Sequence, residues 1–308
     1  MIVVTGASGL LGASVVVQVR RLGLEVGGLY HCHPLQIPGA AMRQADLVDF
    51  AATRELMRSL KPETIIHCAA ATDVDWCESH PEETETLNVR ASALLADMAV
   101  ALNARLIYIS TDAVFDGWQG NYSESDQPAP LNEYGRSKLA GERAVLERLP
   151  SALIVRVNIY GWNAQEKLSL GEWFWRHLRE DERVPGFTDI TFCPMLVNDL
   201  AEVLLQMRHR GLSGLYHVSG SEKISKYEFG RRVAASFGLD PGKVVPARVS
   251  EAGLKARRAL DISLNTNKVF QAVGFEMPDV DAGLRRFRAL YEAGYPQQLK
   301  SYVTGAAA

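Results

Sequence analysis

The sequence has few cysteines, and their spacing is not that of a metal site or a disulfide framework. Its four thiols, Cys32, Cys68, Cys77 and Cys193, show no C-x-x-C pair, so we expect isolated thiols in a reducing compartment. An excess of positive charge is also missing, because the formal net charge is -3. Proteins that neutralise nucleic-acid phosphates normally have a basic surplus. These absences argue against a zinc site and against nucleic acid as the main partner.

Long apolar runs are missing as well, and none approaches the roughly 18 residues of a membrane span. The N-terminus enters an apolar run at Ile2 with no basic segment before it and no cleavage site. We therefore expect no signal peptide, no membrane partner and a cytoplasmic protein. The 308 residues, 47% of them apolar, are enough for one large α/β domain or two modest ones.

A glycine-rich turn follows the first predicted strand. The run Ile2-Val3-Val4 is typical of a buried parallel strand and leads into Thr5-Gly6-Ala7-Ser8-Gly9-Leu10-Leu11-Gly12, after which the pattern is helical. Gly6 would permit the tight turn, Gly9 the approach of a pyrophosphate, and Gly12 close packing of helix on strand. The spacing is G-x-x-G-x-x-G. This context predicts a dinucleotide site, with the pyrophosphate on free N–H groups at the helix N-terminus.

Strand and helix patterns alternate through the first half of the chain. Further strands are predicted at 25–30, 64–68, 106–109 and 153–157, with helices at about 49–60, 81–102 and 134–148. This alternation predicts an α/β fold with a Rossmann-type, doubly wound parallel sheet. Ligands bind beyond the carboxyl ends of the strands in such sheets. The glycine turn, the loop at 72–76 and Ser110-Thr111-Asp112 are expected at that edge.

The second half is predicted to complete the sheet and to add a smaller region. We expect a helix over 169–177, an irregular segment over 181–194, a helix from 197 with Asn198 as its N-cap, and a last strand at 215–218 containing a structural His217. Residues 1–158 are expected to form the NAD(P)-binding Rossmann domain. Residues 159–308 are expected to be mostly a small C-terminal substrate-binding region, with residues about 196–218 returning to the sheet and a frayed tail at 305–308.

Tyr134 and Lys138 are one turn apart on the same face of a predicted helix. An ammonium group beside a phenol favours the phenolate, so we expect the Tyr134 pKa to lie below its usual value of about 10. A phenol of that kind exchanges a proton with a sugar or alcohol oxygen near neutral pH. The pair alone also fits a solvated lysine near a half-buried tyrosine. Its place beside the crevice of the sheet favours the catalytic interpretation.

The end of the second predicted strand indicates which nicotinamide cofactor is bound. An acid there binds the ribose 2′-OH and a base accommodates a 2′-phosphate, but this chain has Tyr30-His31-Cys32-His33. Because imidazoles can donate hydrogen bonds to a phosphate, NADP(H) is favoured over NAD(H). The alternative is that His31 and His33 are loop residues without such a contact. No companion ligands cluster with them in sequence, so no metal site is predicted.

Together the motifs resemble the extended short-chain dehydrogenase/reductase family. The matching pieces are TGASGLLG, the ADL segment, HCAAATDVDWCE with LNV at 87–89, ISTDAVFDG, and YGRSK followed by LAGE. Within that family, the TDVD loop, STDAVFDG and PAPLNEYGRSKLAGE are most similar to dTDP-4-dehydrorhamnose reductases and their sugar-nucleotide-binding relatives. The segments at 216–220, 225–229 and 258–264 are similar to that group too. The resemblance covers nearly the whole chain.

The resemblance implies roles for the matching residues. Tyr134 would donate a proton to the carbonyl oxygen, Lys138 would bind the nicotinamide ribose and lower the tyrosine pKa, and Thr111 would hydrogen-bond the same oxygen. With His31 from the strand end, the expected cofactor-binding residues are Gly6, Ser8, Gly9, Leu10, Leu11, Gly12, His31, Asp46, Leu47, Cys68, Ala69, Ala70, Ala71, Ser110, Tyr134 and Lys138. The expected substrate-binding residues are Thr72, Val74, Asp75, Thr111, Asp112, Asn158 and Arg258.

Three positions depart from the pattern of the reductases. Ala113 stands where relatives often have a tyrosine, and Asn158 stands where the rhamnose reductases have a tryptophan. Ala259 follows Arg258, whereas in relatives the matching arginine is commonly followed by a proline. The first two leave the identity of the sugar open without affecting the hydride chemistry.

The resulting hypothesis is an NAD(P)H-dependent oxidoreductase that reduces a 4-keto nucleotide sugar, its expected partner; a homodimer is left open. A nucleotide-sugar epimerase on the same scaffold is one alternative, because it needs the same tyrosine, lysine and hydroxyl. A non-catalytic role is another, because the sequence also resembles the regulatory beta subunit of methionine adenosyltransferase. A 4,6-dehydratase is disfavoured, since it would need Asp-Glu where Asp112-Ala113 stands.

Overall fold

A parallel β-sheet forms the centre of the structure, a computed structural model that describes residues 1–304. The strands are β1 Ile2–Thr5, β2 Val26–Tyr30, β3 Ala41–Gln44, β4 Thr64–His67, β5 Arg105–Thr111, β6 Leu153–Val157, β7 Ile159–Tyr160, β8 Val184–Phe187, β9 Thr191–Phe192, β10 Met195–Leu196, β11 Gly214–His217, β12 Ile224–Ser225 and β13 Val244–Ala247. The helices are α1 Leu10–Arg21, α2 Phe50–Leu60, α3 Val74–Ser79, α4 Pro81–Glu85, α5 Ala91–Ala101, α6 Glu133–Arg148, α7 Leu170–Arg179, α8 Val197–His209, α9 Lys226–Ser236, α10 Asn267–Val273, α11 Val280–Glu292 and α12 Tyr295–Ser301.

The central sheet has seven strands in the order β11-β6-β5-β4-β1-β2-β3, and every adjacent pair is parallel. Successive residues of a strand point to opposite faces. Val4 accordingly packs in a core with residues of α1 and α8, whereas Val3 packs in a second core with residues of α2 and α5. Helices on both faces of a parallel sheet confirm the predicted Rossmann-type fold.

The second half of the chain adds helices and three short strand pairs beyond the sheet. β7 pairs with β10, β8 with β13, and β9 with β12. An aromatic core joins these pieces: Trp162 stacks on Phe287 at 4.1 Å between ring centroids, and the buried Phe174 lies edge-on to Phe229. No helix within residues 1–304 is long and apolar enough to cross a membrane. The tail expected at 305–308 lies outside the described residues.

The local pattern mispredicts several element boundaries. β3 is not predicted because it is a largely exposed edge strand without an apolar pattern. Part of the expected loop at 72–76 is helical, since α3 begins at Val74, and the helix expected over 81–102 contains a π-helical turn, Thr86–Arg90. Residues 181–194 are not all irregular, because β8 and β9 lie there. The prediction of Asn198 as the N-cap is wrong: the N-cap of α8 is Leu196, two residues earlier, at the end of β10.

Candidate active site

A cleft of about 490 Å³ lies at the carboxyl ends of β1, β4, β5 and β6. The predicted cofactor-binding residues that line it are Gly6, Ser8, Gly9, Leu10, Leu11, Gly12, Cys68, Ala69, Ala70, Ser110, Tyr134 and Lys138. The predicted substrate-binding residues that line it are Thr72, Thr111, Asp112 and Asn158. The remaining lining residues are His33, Ile109, Val157, Ile159, Asn163, Gln165, Lys167, Leu168 and Ser169.

The glycine turn packs closely against the neighbouring backbone and against the start of α1. Gly6 has φ +64°, and a Cβ there would lie 2.7 Å from the backbone nitrogen of Ala69. A Cβ on Gly12 would overlap the carbonyl oxygen of Gly6, so α1 can pack this closely only with glycine. Gly9 precedes α1 without a side-chain cap. The first N–H groups of α1 are therefore available to an anion in the cleft.

The helix α6 carries Tyr134 and Lys138 to the cleft. Its N-cap is Asn132, whose side-chain oxygen accepts from the N–H of Gly135 at 2.9 Å. Lys138 is 3% exposed; its Nζ donates to the carbonyl oxygen of Ile109 at 2.8 Å and lies 4.1 Å from the centroid of the Tyr108 ring. Burial lowers the pKa of Lys138 to about 7, because desolvation penalises the ammonium form.

The expected depression of the Tyr134 pKa is wrong for this structure. Burial raises that pKa to about 12, and hydrogen bonding with the Thr111 side chain, which acts in the other direction, does not compensate. The charge of Lys138 is not among the causes of the shift. The phenol therefore keeps its proton at neutral pH, which suits a proton donor rather than a base.

Three predicted residues form one hydrogen-bonded group beside Tyr134. The hydroxyl of Thr111 donates to Asp112 Oδ1 at 3.1 Å and accepts from the N–H of Ala113 at 3.1 Å. The amide of Asn158 donates to Asp112 Oδ2 at 2.5 Å. Burial raises the pKa of Asp112 to about 6. The protonation state of this carboxyl therefore decides whether it accepts the Thr111 proton or donates one of its own.

Two predicted substrate-binding residues bind each other instead of lining the cleft. An oxygen of the Asp75 carboxylate lies 3.1 Å from the guanidinium of Arg258, and the other accepts from the N–H of Ala256 at 2.9 Å. The backbone bond to Ala256 is the main reason that the pKa of Asp75 is lowered. The contact fixes the loop before Arg258 to α3. Val74, in the first turn of α3, also lies outside the cleft lining.

The remaining predicted cofactor residues lie beside the cleft. Nε2 of His31 is 3.9 Å from an oxygen of Asp46, and both side chains are exposed. Leu47 is buried in the core that contains α2 and α5. His33, rather than His31, lines the cleft. Ala71 is held through its backbone, because its N–H donates to the side chain of Asn88 at 2.8 Å.

Asn88 and Glu142, which are not among the predicted site residues, support the site through hydrogen bonds. Asn88, in the π-helical turn, also donates to the hydroxyl of Ser137 at 3.0 Å and so ties the Ala71 turn to α6. Glu142 on α6 accepts from Nε and Nη2 of Arg156 at 2.9 and 2.7 Å, and from Ser110. Both lie in quoted motifs, LNV and LAGE. Their place inside these motifs is the sequence feature from which a supporting role could have been predicted.

Comparison with known proteins places the chain in one family. The family model RmlD substrate binding domain matches residues 1–292. The probable low-salt glycan biosynthesis reductase Agl14 of Haloferax volcanii is 34% identical over 292 residues, covering 94% of this chain and 97% of that protein. Methionine adenosyltransferase 2 subunit beta of Danio rerio is 35% identical over 279 residues, covering 87% and 83%. The structure of dTDP-4-dehydrorhamnose reductase from Bacillus anthracis in complex with NADP superposes with a TM-score of 0.82 at 28% identity, covering 94% and 98%.

Proposed function

The chain belongs to the RmlD substrate binding domain family, and from that premise we propose that it is an NAD(P)H-dependent reductase of a 4-keto nucleotide sugar. The observation that carries the proposal is the meeting of Tyr134, Lys138 and Thr111 in one cleft with the glycine turn. The reductases named among its relatives support the same class of reaction.

The residues of the cleft fit a dinucleotide. Glycine at positions 6 and 12 lets the turn pack against the backbone of Ala69 and Gly6. The uncapped N-terminus of α1, which follows the turn and lines the cleft, suits a pyrophosphate. Bound NAD(P)H would supply the hydride to the carbonyl carbon of the sugar. Lys138 and the backbone at Ala69–Ala71 would hold the nicotinamide half against the sheet edge. These residues orient the reactants, which is a major part of rate enhancement in such reactions.

Tyr134 would donate the proton that the carbonyl oxygen takes up as the hydride arrives. Its raised pKa keeps the phenol protonated until then. The neighbouring Thr111 and Asn158 would position the sugar, with Asp112 linking them. Asp75 and Arg258 would act indirectly, by fixing the loop that borders the substrate.

We favour NADPH as the cofactor. The end of β2 has no acid to select a ribose 2′-OH, and His33 lines the cleft. The similar Bacillus anthracis reductase was solved with NADP. We assign residues 1–158 to the cofactor domain and 159–308 mostly to the substrate region, with about 196–218 returning to the sheet. The cysteines at 32, 68, 77 and 193 are free, which fits the cytoplasmic location we propose.

The test is NADPH oxidation by the purified protein with a panel of 4-keto sugar nucleotides, beginning with dTDP-4-dehydrorhamnose. We expect Tyr134→Phe to lower kcat about 100-fold or more, because general acid catalysis typically contributes that much, while NADPH still binds. Tyr302→Phe, a half-buried tyrosine outside the cleft lining, is the control. Conversion of the sugar without net loss of NADPH would instead identify an epimerase.

A regulatory role is the second candidate, supported by the 35% identity to methionine adenosyltransferase 2 subunit beta. In that case the protein would bind NADPH tightly, oxidise none of it with any sugar of the panel, and co-purify with a partner enzyme. The retained Tyr134, Lys138 and Thr111 favour the reductase. A partner that co-purifies with a protein lacking turnover would reverse that preference.

A further inference from the structure

One wall of the cleft is formed by residues 163–169, which connect β7 to α7. Four polar residues of this segment line the cleft together with Leu168: Asn163, Gln165, Lys167 and Ser169. No motif marks the segment, and the mechanism proposed above gives it no task. The Lys167 side chain contacts Thr72, and the N-terminus of α1 lines the same cleft.

The segment is held in one conformation by its own hydrogen bonds. The side chain of Asn163 donates to the carbonyl oxygen of Lys167 at 2.7 Å and accepts from the N–H of Gln165 at 3.2 Å. The N–H of Asn163 donates to the buried carboxylate of Glu172 at 2.7 Å, and Ser169 donates to the carbonyl oxygen of Gly161 at 2.6 Å. The polar groups of Asn163 and Ser169 therefore already have hydrogen-bond partners within the protein, and the wall is preorganised.

Gln165 and Lys167 keep polar groups that the protein does not satisfy. Nε2 of Gln165 is buried and has no hydrogen-bond partner within residues 1–304. Nζ of Lys167 donates to a neutral partner, the hydroxyl of Thr72, at 3.4 Å, and forms no ion pair in the part of the chain that the structure describes. A buried donor without a partner is unfavourable, and an exposed ammonium group that bonds only a hydroxyl can gain an anionic acceptor.

Taking the proposed function as its premise, we propose that Gln165 and Lys167 form a clamp that binds the diphosphate of a nucleotide in the cleft. A diphosphate presents several acceptor oxygens and negative charge, which match one amide donor and one ammonium group. Both the cofactor and a nucleotide-sugar substrate carry this group. The clamp would share the cleft with the uncapped N-terminus of α1, and Lys167 would reach the diphosphate from the rim at Thr72.

Calorimetric titration of the full-length protein with NADPH and, separately, with dTDP tests the clamp without requiring turnover. We expect Lys167→Met to weaken one of the two probes about tenfold, Gln165→Leu to weaken the same probe about fivefold, and Lys167→Arg to restore most of the loss. Higher salt should narrow the Lys167→Met difference. Lys61→Met, an exposed lysine just before β4 at the opposite edge of the sheet, should change neither affinity.

The pattern across probes identifies the source of the diphosphate. Weaker NADPH binding alone assigns the clamp to the cofactor, and weaker dTDP binding alone assigns it to the substrate. Unchanged affinities for both probes in Lys167→Met and Gln165→Leu overturn the clamp, even if the protein oxidises NADPH. A wild-type protein that binds NADPH but oxidises none with any 4-keto sugar refutes the proposed function and leaves the clamp measurement intact.

Discussion

Removal of the Glu142 carboxylate should destabilise the protein strongly, because it would leave a buried charge without its partner. Arg156 is 2% exposed and Glu142 is 4% exposed, and two short hydrogen bonds join them. Breaking a buried pair from one side typically lowers the free energy of unfolding by about 3–5 kcal/mol. Glu142→Gln keeps the shape of the side chain and removes the charge, so we expect a loss in that range.

Urea unfolding followed by circular dichroism measures this loss as a lower midpoint at constant slope. The matched control is Glu292→Gln, which breaks the exposed pair with Arg288 and should change the free energy of unfolding by about 0.5 kcal/mol or less. Adding Arg156→Met to Glu142→Gln should recover part of the loss, because no unpaired charge is then buried. If Glu142→Gln is no more destabilising than the control, the burial argument is refuted.

Glu142→Gln should also change the pKa of Lys138. Glu142 lies one turn after Lys138 on α6, and its charge is the main influence that raises the pKa of Lys138 against desolvation. With Glu142→Gln we therefore expect that pKa to fall below about 7. We propose that Lys138 holds the nicotinamide half of NADPH. The pH at which NADPH affinity changes with the charge of Lys138 should therefore move to lower pH by the same amount.

Two further predictions concern pH. His67 and His217 are buried, and burial lowers their pKa values to about 3. Between about pH 6.5 and pH 3 the unfolded state therefore binds more protons than the folded state. The free energy of unfolding should fall on acidification by about 1.4 kcal/mol per pH unit for each histidine. His217→Gln should reduce that slope in urea titrations and the exposed His209→Gln should not; equal slopes would contradict the assignment. Burial raises the pKa of Asp112 to about 6, so we expect wild-type kcat/KM to fall above that pH, as the carboxyl loses the proton it would donate to Thr111. Asp112→Asn should donate to Thr111 at every pH and should not show this fall; a variant that keeps the fall would rule Asp112 out as its source.

The sheet and the Tyr134–Lys138 pair were within reach of the sequence because both are local patterns. Buried β-branched runs separated by amphipathic helices specify a parallel sheet, and a spacing of one helical turn places two side chains together. β3 has no such pattern, since an exposed edge strand needs few apolar residues. His217 was predictable as structural, and it is buried with its ring bonded to the carbonyl oxygen of Tyr122.

Features that depend on distant segments were not predictable in this way. The direction of the Tyr134 pKa depends on how deeply folding buries the phenol, which the spacing to Lys138 does not reveal. The contact of Asp75 with Arg258 joins residues far apart in sequence, so each had to be interpreted alone. The wall at 163–169 carries no motif, and its role follows only from which polar groups remain unpaired.

The order of strands has a consequence for synthesis on the ribosome. β6 is an unpaired edge until β11, Gly214–His217, has been made, and α1 lacks its packing partner until α8 follows. A nascent chain that ends near residue 158 therefore exposes a strand edge and an apolar sheet face together, the features that favour aggregation. We expect co-translational folding to be completed late, with the nascent N-terminal half dependent on chaperones until the returning segment emerges.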